Sequence, residues 1–546
     1  MSQSRRETSK QVSQAKNGWA GTKVEGQGPE RLFCFVALAM TTVFYAALVA
    51  RGIVIAGDFE YPLDDPYIHL ALAEQIAQGT YGINPGEAAS PSSSPLFPLL
   101  LTPFPGTEFQ RMLLVFWNIV GMGLTAWLWG LILVEAGFMR QGWRGIGVCA
   151  AALGPIAMLS PHVGFIGMEH TLHAAATLAV FLGLFRHFGE RGGMALLLAG
   201  VFFASAFRLE GAAIGIVAGS VLFFSGERRM GVLAVIFALL PIVVFSAFLL
   251  SAGLEPLPSS VSTKLSYGPD VELSPLALRL AILRQNILKP GGGLLLILAV
   301  AALVLWRFKP ASHSRMATGL ALVSILPVLA HLALGQIGWA NRYEHYVLAL
   351  SLAGVFALIP MAVPQNRIAA AGLAAIAMLT ALVVYQPQAT LSLGRYPYAI
   401  AAQQGQMSRL VQDHWKGPVG VNDIGLVSWQ NQETVLDLWG LAFEDARIAR
   451  LEGGEPGWAG DLTDAQNIDF TMVYDKWFKD GIGPDWIKIG DFVFTDASRT
   501  YLGDYVVAFY ATRPEAVDDI RLAVAEWVPT LRKETYFDWE PGMAPE

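Results

Sequence analysis

Cysteine is almost missing from this chain of 546 residues: only Cys34 and Cys149 occur, both within apolar runs. With no metal-ligand pattern around them they read as small core hydrophobes, and they leave the redox compartment undecided. Charge is scarce as well, with 15% Asp, Glu, Lys and Arg against 54% hydrophobic residues. That balance excludes an ordinary soluble protein and implies a polytopic membrane protein. The formal net charge of −7 comes with acidic residues concentrated beyond residue 430. No polyanion-binding face results, and nucleic acid is not an expected partner. No glycine loop able to cradle phosphate is present either: the run from Asp480 to Pro484 lacks a strand-to-helix context and reads as a turn. Internal repeats are absent, and the only biased stretches are a polar N-terminal tail and the SPSSSP turn at 90–95.

What is abundant is long apolar segments. Windows near twenty apolar residues fall at 32–55, 111–135, 145–161, 168–186, 193–207, 210–225, 231–252, 292–306, 316–338, 343–362 and 368–386. The tail of residues 1–31 is expected to be disordered, and the first span reads as an uncleaved anchor because no small-residue cleavage pattern follows it. Orientation follows from basic residues. If the tail, with Arg5, Arg6, Lys10, Lys16, Lys23 and Arg31, is cytoplasmic, alternate connections should be basic, and they carry Arg140/Arg144, Arg186/Arg191, Arg228/Arg229, Arg307/Lys309/Arg315 and Arg367. The odd number of spans then puts everything after about Tyr385 outside the cytoplasm.

The first loop, 56–98, lies on that same outer side and carries adjacent carboxylates, Asp64 and Asp65. Acidic pairs at the water edge of a membrane are expensive and mark function more often than decoration. Asp65 before Pro66 also fits an ordinary helix start, a role that does not account for Asp64. The segment 66–78 is expected to be a helix with Ile68, Leu72 and Ile76 on one face, suited to lying on the bilayer surface. The other outer connections bring Glu169, Arg208, Glu210, Lys264 (in the long loop 254–292), Arg342 and Glu344 to the same side. Any one of these could be a snorkelling side chain or a structural ion pair; together with two aspartates they describe a polar cavity opening outward.

Beyond Pro387 the composition shifts to a soluble α/β domain, 387–546. Strands are expected at 418–423, 434–438, 470–474, 491–495 and 505–511, with helices at about 398–415 and 514–531. Asp423 and Asp437 stand at strand ends, where aspartates mostly form turns or caps.

The first-loop sequence LDDPYIHLALAEQIAQGTYGINPGEAASPSSSPLFPLLL resembles the corresponding loop of the GT-C membrane glycosyltransferases, especially the bacterial arabinofuranosyltransferase-like branch. GMEHTL (167–172), FRLEG (207–211), PLPSSVSTK (256–264), NRYEHYVLAL (341–350), NDIGLVSW (422–429) and LDLWGL (436–441) follow in the same register. The departures are Ser259 where Asn is common and Leu209 where Pro is common. The resemblance implies a multi-pass α-helical membrane protein of GT-C fold, with about 11 transmembrane helices (32–386) and the soluble α/β domain behind them. It implies inverting transfer of a sugar from a polyprenyl-phosphate donor to a hydroxyl of a cell-envelope glycan or glycolipid. The setting would be the outer face of a bacterial cytoplasmic membrane. In that chemistry Asp64, with Asp65 beside it, takes the acceptor proton, and mutual repulsion of the two carboxylates raises the basicity of one. Lys264, Arg208 and Arg342 are then candidates for the donor phosphate, and Glu169, His69, Glu210, Tyr343 and Glu344 for substrate contacts. Asp64 and Asp65 with His69 or a glutamate could hold a divalent cation (Mg, Mn or Ca) through oxygen ligands, although nothing in the spacing demands one. The α/β domain is expected to bind or guide the acceptor.

Three other readings stay open on sequence. A transporter or flippase for a lipid-linked or polar solute also places charge in the membrane, but such proteins often show paired repeats or broken helices at mid-bilayer. A scaffold would not need eleven spans. A ligase or polymerase moving whole oligosaccharides fits the long 254–292 loop too.

Overall fold

The computed structural model describes residues 31–265, 274–392, 395–496 and 502–545. The expectation of a disordered tail therefore falls outside the described residues, as does the middle of the long loop, and of Lys264 only its place in the helix Ser259–Leu265 is described.

Among the described residues nine helices are long and apolar enough to cross a membrane, from Leu32–Ala56 to Arg367–Gln386. Two shorter apolar helices, Met194–Phe207 and Gly211–Phe224, bring the set to the expected eleven. Its innermost member is His345–Ala362, 94% buried, whereas Arg228–Ser251 is only 28% buried and turns Val243, Val244 and Leu250 outward. Lipid gives apolar helices no hydrophobic reason to associate, so close approach at small residues has to hold them. Gly130 shows how close: a Cβ there would stand 2.5 Å from the backbone nitrogen of Cys34.

The C-terminal region folds around a six-stranded sheet of order β2-β1-β3-β5-β4-β6. Its strands are β1 (Val419–Val421), β2 (Val435–Asp437), β3 (Phe470–Val473), β4 (Ile487–Phe494), β5 (Val506–Ala511) and β6 (Thr535–Trp539). β1 runs parallel to both β2 and β3, and the remaining pairs are antiparallel. The edge strand β6 has no counterpart in the sequence reading, nor do the helices Glu444–Glu452 and Trp458–Ala465. The helix expected at 398–415 is broken at Gln403 into Tyr396–Ala402 and Gln404–Arg409 and ends in a wide turn at Leu410–Trp415.

The first-loop helix, Asp65–Ala77, differs from expectation. Every residue from Pro66 to Gln75 is buried, so the helix is not a half-exposed rod on the bilayer. Its apolar side chains Tyr67, Ile68 and Leu70 share one core with Val421, Phe470, Phe509 and Trp527 of the sheet domain. The polar face that suggests water contact is instead matched by protein: Glu74 accepts the Gln430 N–H (3.1 Å), and His69 contacts Ser92 (3.3 Å) and Glu169 (3.6 Å). The helix is a wedge between bundle and sheet, not a membrane-surface element.

Candidate active site

The site is built from three backbone features that converge. The first is the break before the helix His345–Ala362, where Gly338, Trp339, Ala340 and Asn341 all have positive φ (+104°, +46°, +61° and +56°). Left-handed backbone at non-glycine residues costs about 1–2 kcal/mol each, so other contacts must hold this turn. Glu344 accepts the Gly338 N–H (2.9 Å) and the Tyr385 hydroxyl (3.3 Å), and His162 Nε2 reaches the Ala340 carbonyl (2.9 Å). The turn sets Arg342, 1% exposed, with Nη2 donating to Asp65 Oδ1 at 2.6 Å.

The second feature is the start of the first-loop helix. Asp65 is its first helical residue, so the N-cap position falls to Asp64, which makes no side-chain capping bond, and the Asp65 carboxylate accepts from Arg342. Asp64 crosses the seam to the sheet domain, where its two oxygens accept the N–H groups of Gly425 (2.6 Å) and Leu426 (2.8 Å). These two amides open the short helix Gly425–Ser428, so Asp64 is oriented by the domain opposite.

The third feature is the C-terminal end of β1, the place where α/β sheets bind ligands. Asp423, set aside in the sequence as a turn former, stands there. Its Oδ2 accepts the Tyr474 hydroxyl (2.7 Å) and the Gln404 amide (2.9 Å). Burial pushes the Asp64 carboxyl above the usual carboxylate range, and the nearby charge of Asp423 adds to the rise against the two backbone N–H groups that favour the anion. Asp423 is raised as well, again chiefly by burial. Asp437, at the end of β2, is the turn former the sequence predicts: it accepts the N–H groups of Trp439, Gly440 and Ala442.

These features bound a cavity of about 540 Å³ at the junction of bundle and sheet domain. Of the residues chosen from sequence, Asp64, Asp65, Arg342 and Tyr343 line it. Arg279 and Lys289 add two cations from the helix Pro275–Leu288 and its end, and Asn422, Asp423, Trp439 and Trp477 form the wall from the α/β domain.

Arg208, Glu169, Glu210, His69 and Glu344 lie apart from the cavity lining. Arg208, 4% exposed at its side chain, donates to Glu169 (2.6 Å) and Glu210 (2.6 Å) and contacts His170 (3.2 Å). His69 closes this network through Glu169, which is fully buried. The Arg208 guanidinium sits 5.9 Å from the Tyr343 ring, and that of Arg342 is 5.1 Å away, so one aromatic ring links the buried network to the cavity. Glu344 is spent on the left-handed turn. The grouping of Asp64 and Asp65 with His69 as cation ligands is not assembled, because their polar atoms face Gly425 and Leu426, Arg342, and Glu169 respectively. Among the described residues no three His, Cys, Asp or Glu side chains form a metal-holding group.

Asp423 and Lys289 were within reach of the sequence. Asn422-Asp423 closes a buried strand, and Lys289 stands directly before Pro290 at the start of a span. The tryptophans gave no signal, since their position depends on how the sheet meets the bundle.

An apolar bundle, a buried first-loop helix bearing paired carboxylates, and an α/β domain closing the cavity above it together make the GT-C fold of an integral membrane protein. The oligosaccharyltransferase AglB of Archaeoglobus fulgidus, solved with an inhibitory peptide and a dolichol-phosphate, shares it at a TM-score of 0.50 and 12% identity, over 88% of this chain and 74% of AglB. ArnT of Cupriavidus metallidurans, solved with undecaprenyl phosphate, is similar at a TM-score of 0.47 and 12% identity, over 87% of this chain and 98% of ArnT. Residues 396–510 match a domain family of unknown function, DUF8728. No curated protein matches the sequence.

Proposed function

We propose that this protein is an inverting glycosyltransferase. It moves a sugar from a polyprenyl-phosphate donor to a hydroxyl of a cell-envelope glycan or glycolipid, on the outer face of a bacterial cytoplasmic membrane. The observation that carries the reading is one cavity lined both by an oriented carboxylate of raised proton affinity and by Arg342, Arg279 and Lys289. The dolichol-phosphate in AglB, whose fold this chain shares, agrees with a lipid phosphate as ligand.

In this mechanism the acceptor oxygen attacks the anomeric carbon from the face opposite the phosphate. The new C–O bond forms as the bond from that carbon to the phosphate oxygen breaks. The acceptor proton passes to Asp64, and the bonding pair leaves on the phosphate. Asp64 suits the first task because burial makes it a better base and two backbone amides fix its direction. A preorganised cation at the leaving phosphate contributes about 3 kcal/mol to the transition state; Arg342 holds that position, kept straight by Asp65. Lys264 remains a candidate for the same task on sequence. Arg208 with Glu169, Glu210 and His69 supports Tyr343 from behind and does not touch ligand. The tail and the basic connections face the cytoplasm, and the α/β domain stands outside.

The test is transfer by purified protein from a panel of polyprenyl-phosphate sugars, comparing wild type with Asp64→Asn. Asparagine keeps the size and removes the base, so turnover should drop about 10²–10⁴-fold. Undiminished turnover in the variant, or solute transport without product, would overturn the reading. The mass of the product separates transfer of one sugar from transfer of a whole oligosaccharide.

A further inference from the structure

One wall of the cavity has no part in the chemistry above. It is made by Trp439 and Trp477 of the α/β domain, whose rings lie 4.4 Å apart at 48°. Both are half-buried, and indole surface left against water in a hollow is costly unless something covers it. The pair is rigidly held. Arg450 stacks 3.8 Å over Trp439 and donates Nε to its carbonyl, while Asp437 collects three N–H groups of the same loop. Trp477 leans on Tyr474 at 5.0 Å and abuts Gly503, where a Cβ would come within 2.3 Å of the ring. Tyr474 in turn donates to Asp423, so the aromatic wall is tied to the carboxylate near Asp64.

The chemistry that fits such a wall is a sugar ring, which offers a flat C–H face to an indole and hydroxyls at its rim to Asn422 and Asp423 on the same side. The cations Arg279, Lys289 and Arg342 all come from outside the α/β domain, so the phosphate end of a lipid donor is assigned to them and the aromatic wall is left for the group arriving from water. We infer that Trp439 and Trp477 form the subsite for a saccharide ring of the acceptor. This deepens the transfer reading and rests on it: the bundle holds the donor, and the α/β domain selects the acceptor.

The experiment uses full-length protein in lipid nanodiscs, with Trp439→Ala, Trp477→Ala and Trp477→Phe. Transfer is measured with donor and acceptor varied separately, the acceptors being a panel of neutral hexopyranose and pentofuranose oligosaccharides. Tryptophan fluorescence is followed with the same panel. The acceptor KM should rise about tenfold or more in each alanine variant, the donor KM should stay within about twofold, and Trp477→Phe should recover most of the loss. An unchanged acceptor KM, or donor and acceptor KM rising together, overturns the subsite. So does the lack of saturable quenching of wild type by every oligosaccharide, even if transfer is active. Quenching that Trp477→Ala abolishes, in a protein that transfers from no donor, would sink the transfer reading and leave the sugar subsite standing. If Trp477→Ala does not elute as a single species, Trp439→Ala carries the same comparison.

Discussion

Changing Gly425 to alanine adds one methyl group at the seam between the two halves. A Cβ at this position would lie 2.2 Å from the Asp64 carbonyl oxygen and 2.6 Å from Asp64 Oδ2. Carbon and oxygen need about 3.3 Å, so one side must retreat by about 1 Å. Neither neighbour is a loose side-chain tip: one is backbone, and the other is a carboxylate gripped by the Gly425 and Leu426 amides at 2.6 and 2.8 Å. Stretching a hydrogen bond to a charged group until it fails costs about 1.5–3 kcal/mol. More telling is the kinetic effect, because a displacement of about 1 Å of a catalytic group lowers rate by about 10²-fold. Turnover at saturating donor and acceptor is the assay, with thermal melting as the check on folding. Gly372→Ala is the control, since nothing lies within 4 Å of a Cβ there. We expect Gly425→Ala to melt only a little lower and to turn over about 10²-fold more slowly. Wild-type turnover in a folded Gly425→Ala protein would refute the idea that this seam aims the base.

Two further outcomes follow from the charges. Asp64 must be ionised to act, so turnover should rise with pH through a carboxyl value above the usual range and then level off; Asp423→Asn removes a neighbouring negative charge, so that limb should move to lower pH in a pH–rate profile. Arg342→Met strips the cavity of one cation and removes its ion pair with Asp65; turnover should fall about 10²–10³-fold, with a lower melting temperature. Arg342→Lys should restore part of the stability and less of the turnover, because an ammonium group lacks the planar fork of guanidinium.

The membrane half was readable because a spanning helix writes its length directly into hydropathy: all eleven segments correspond to helices, the two shortest being Met194–Phe207 and Gly211–Phe224. The first-loop helix was readable in extent and misread in setting. Ile68, Leu72 and Ile76 make a face, but periodicity cannot say that a sheet will cover the other side, as it does through Tyr67 and Leu70. The carboxylate pair stood out because charge near lipid is costly, and Arg342 for the same reason. Arg208 carries the same sequence signal yet lies in a network with Glu169 and Glu210 away from the cavity lining, since a buried ion pair and a ligand contact look alike in one dimension. Asp423 was lost to a sound general rule about strand ends. Its neighbours Tyr474 and Gln404 come from 51 and 19 residues away, a distance that no local pattern spans.

The cavity takes its walls from positions as far apart as Asp64 and Trp477. During synthesis the helical half leaves the ribosome first, and domains fold roughly in that order. A chain halted after Gln386 would hold its acidic pair and basic residues in an open basin, with Asp64 lacking the amides that aim it. Under the proposed function, the base is therefore unaimed until the last third of the chain has been delivered, and the order of the chain itself delays activity in the bilayer.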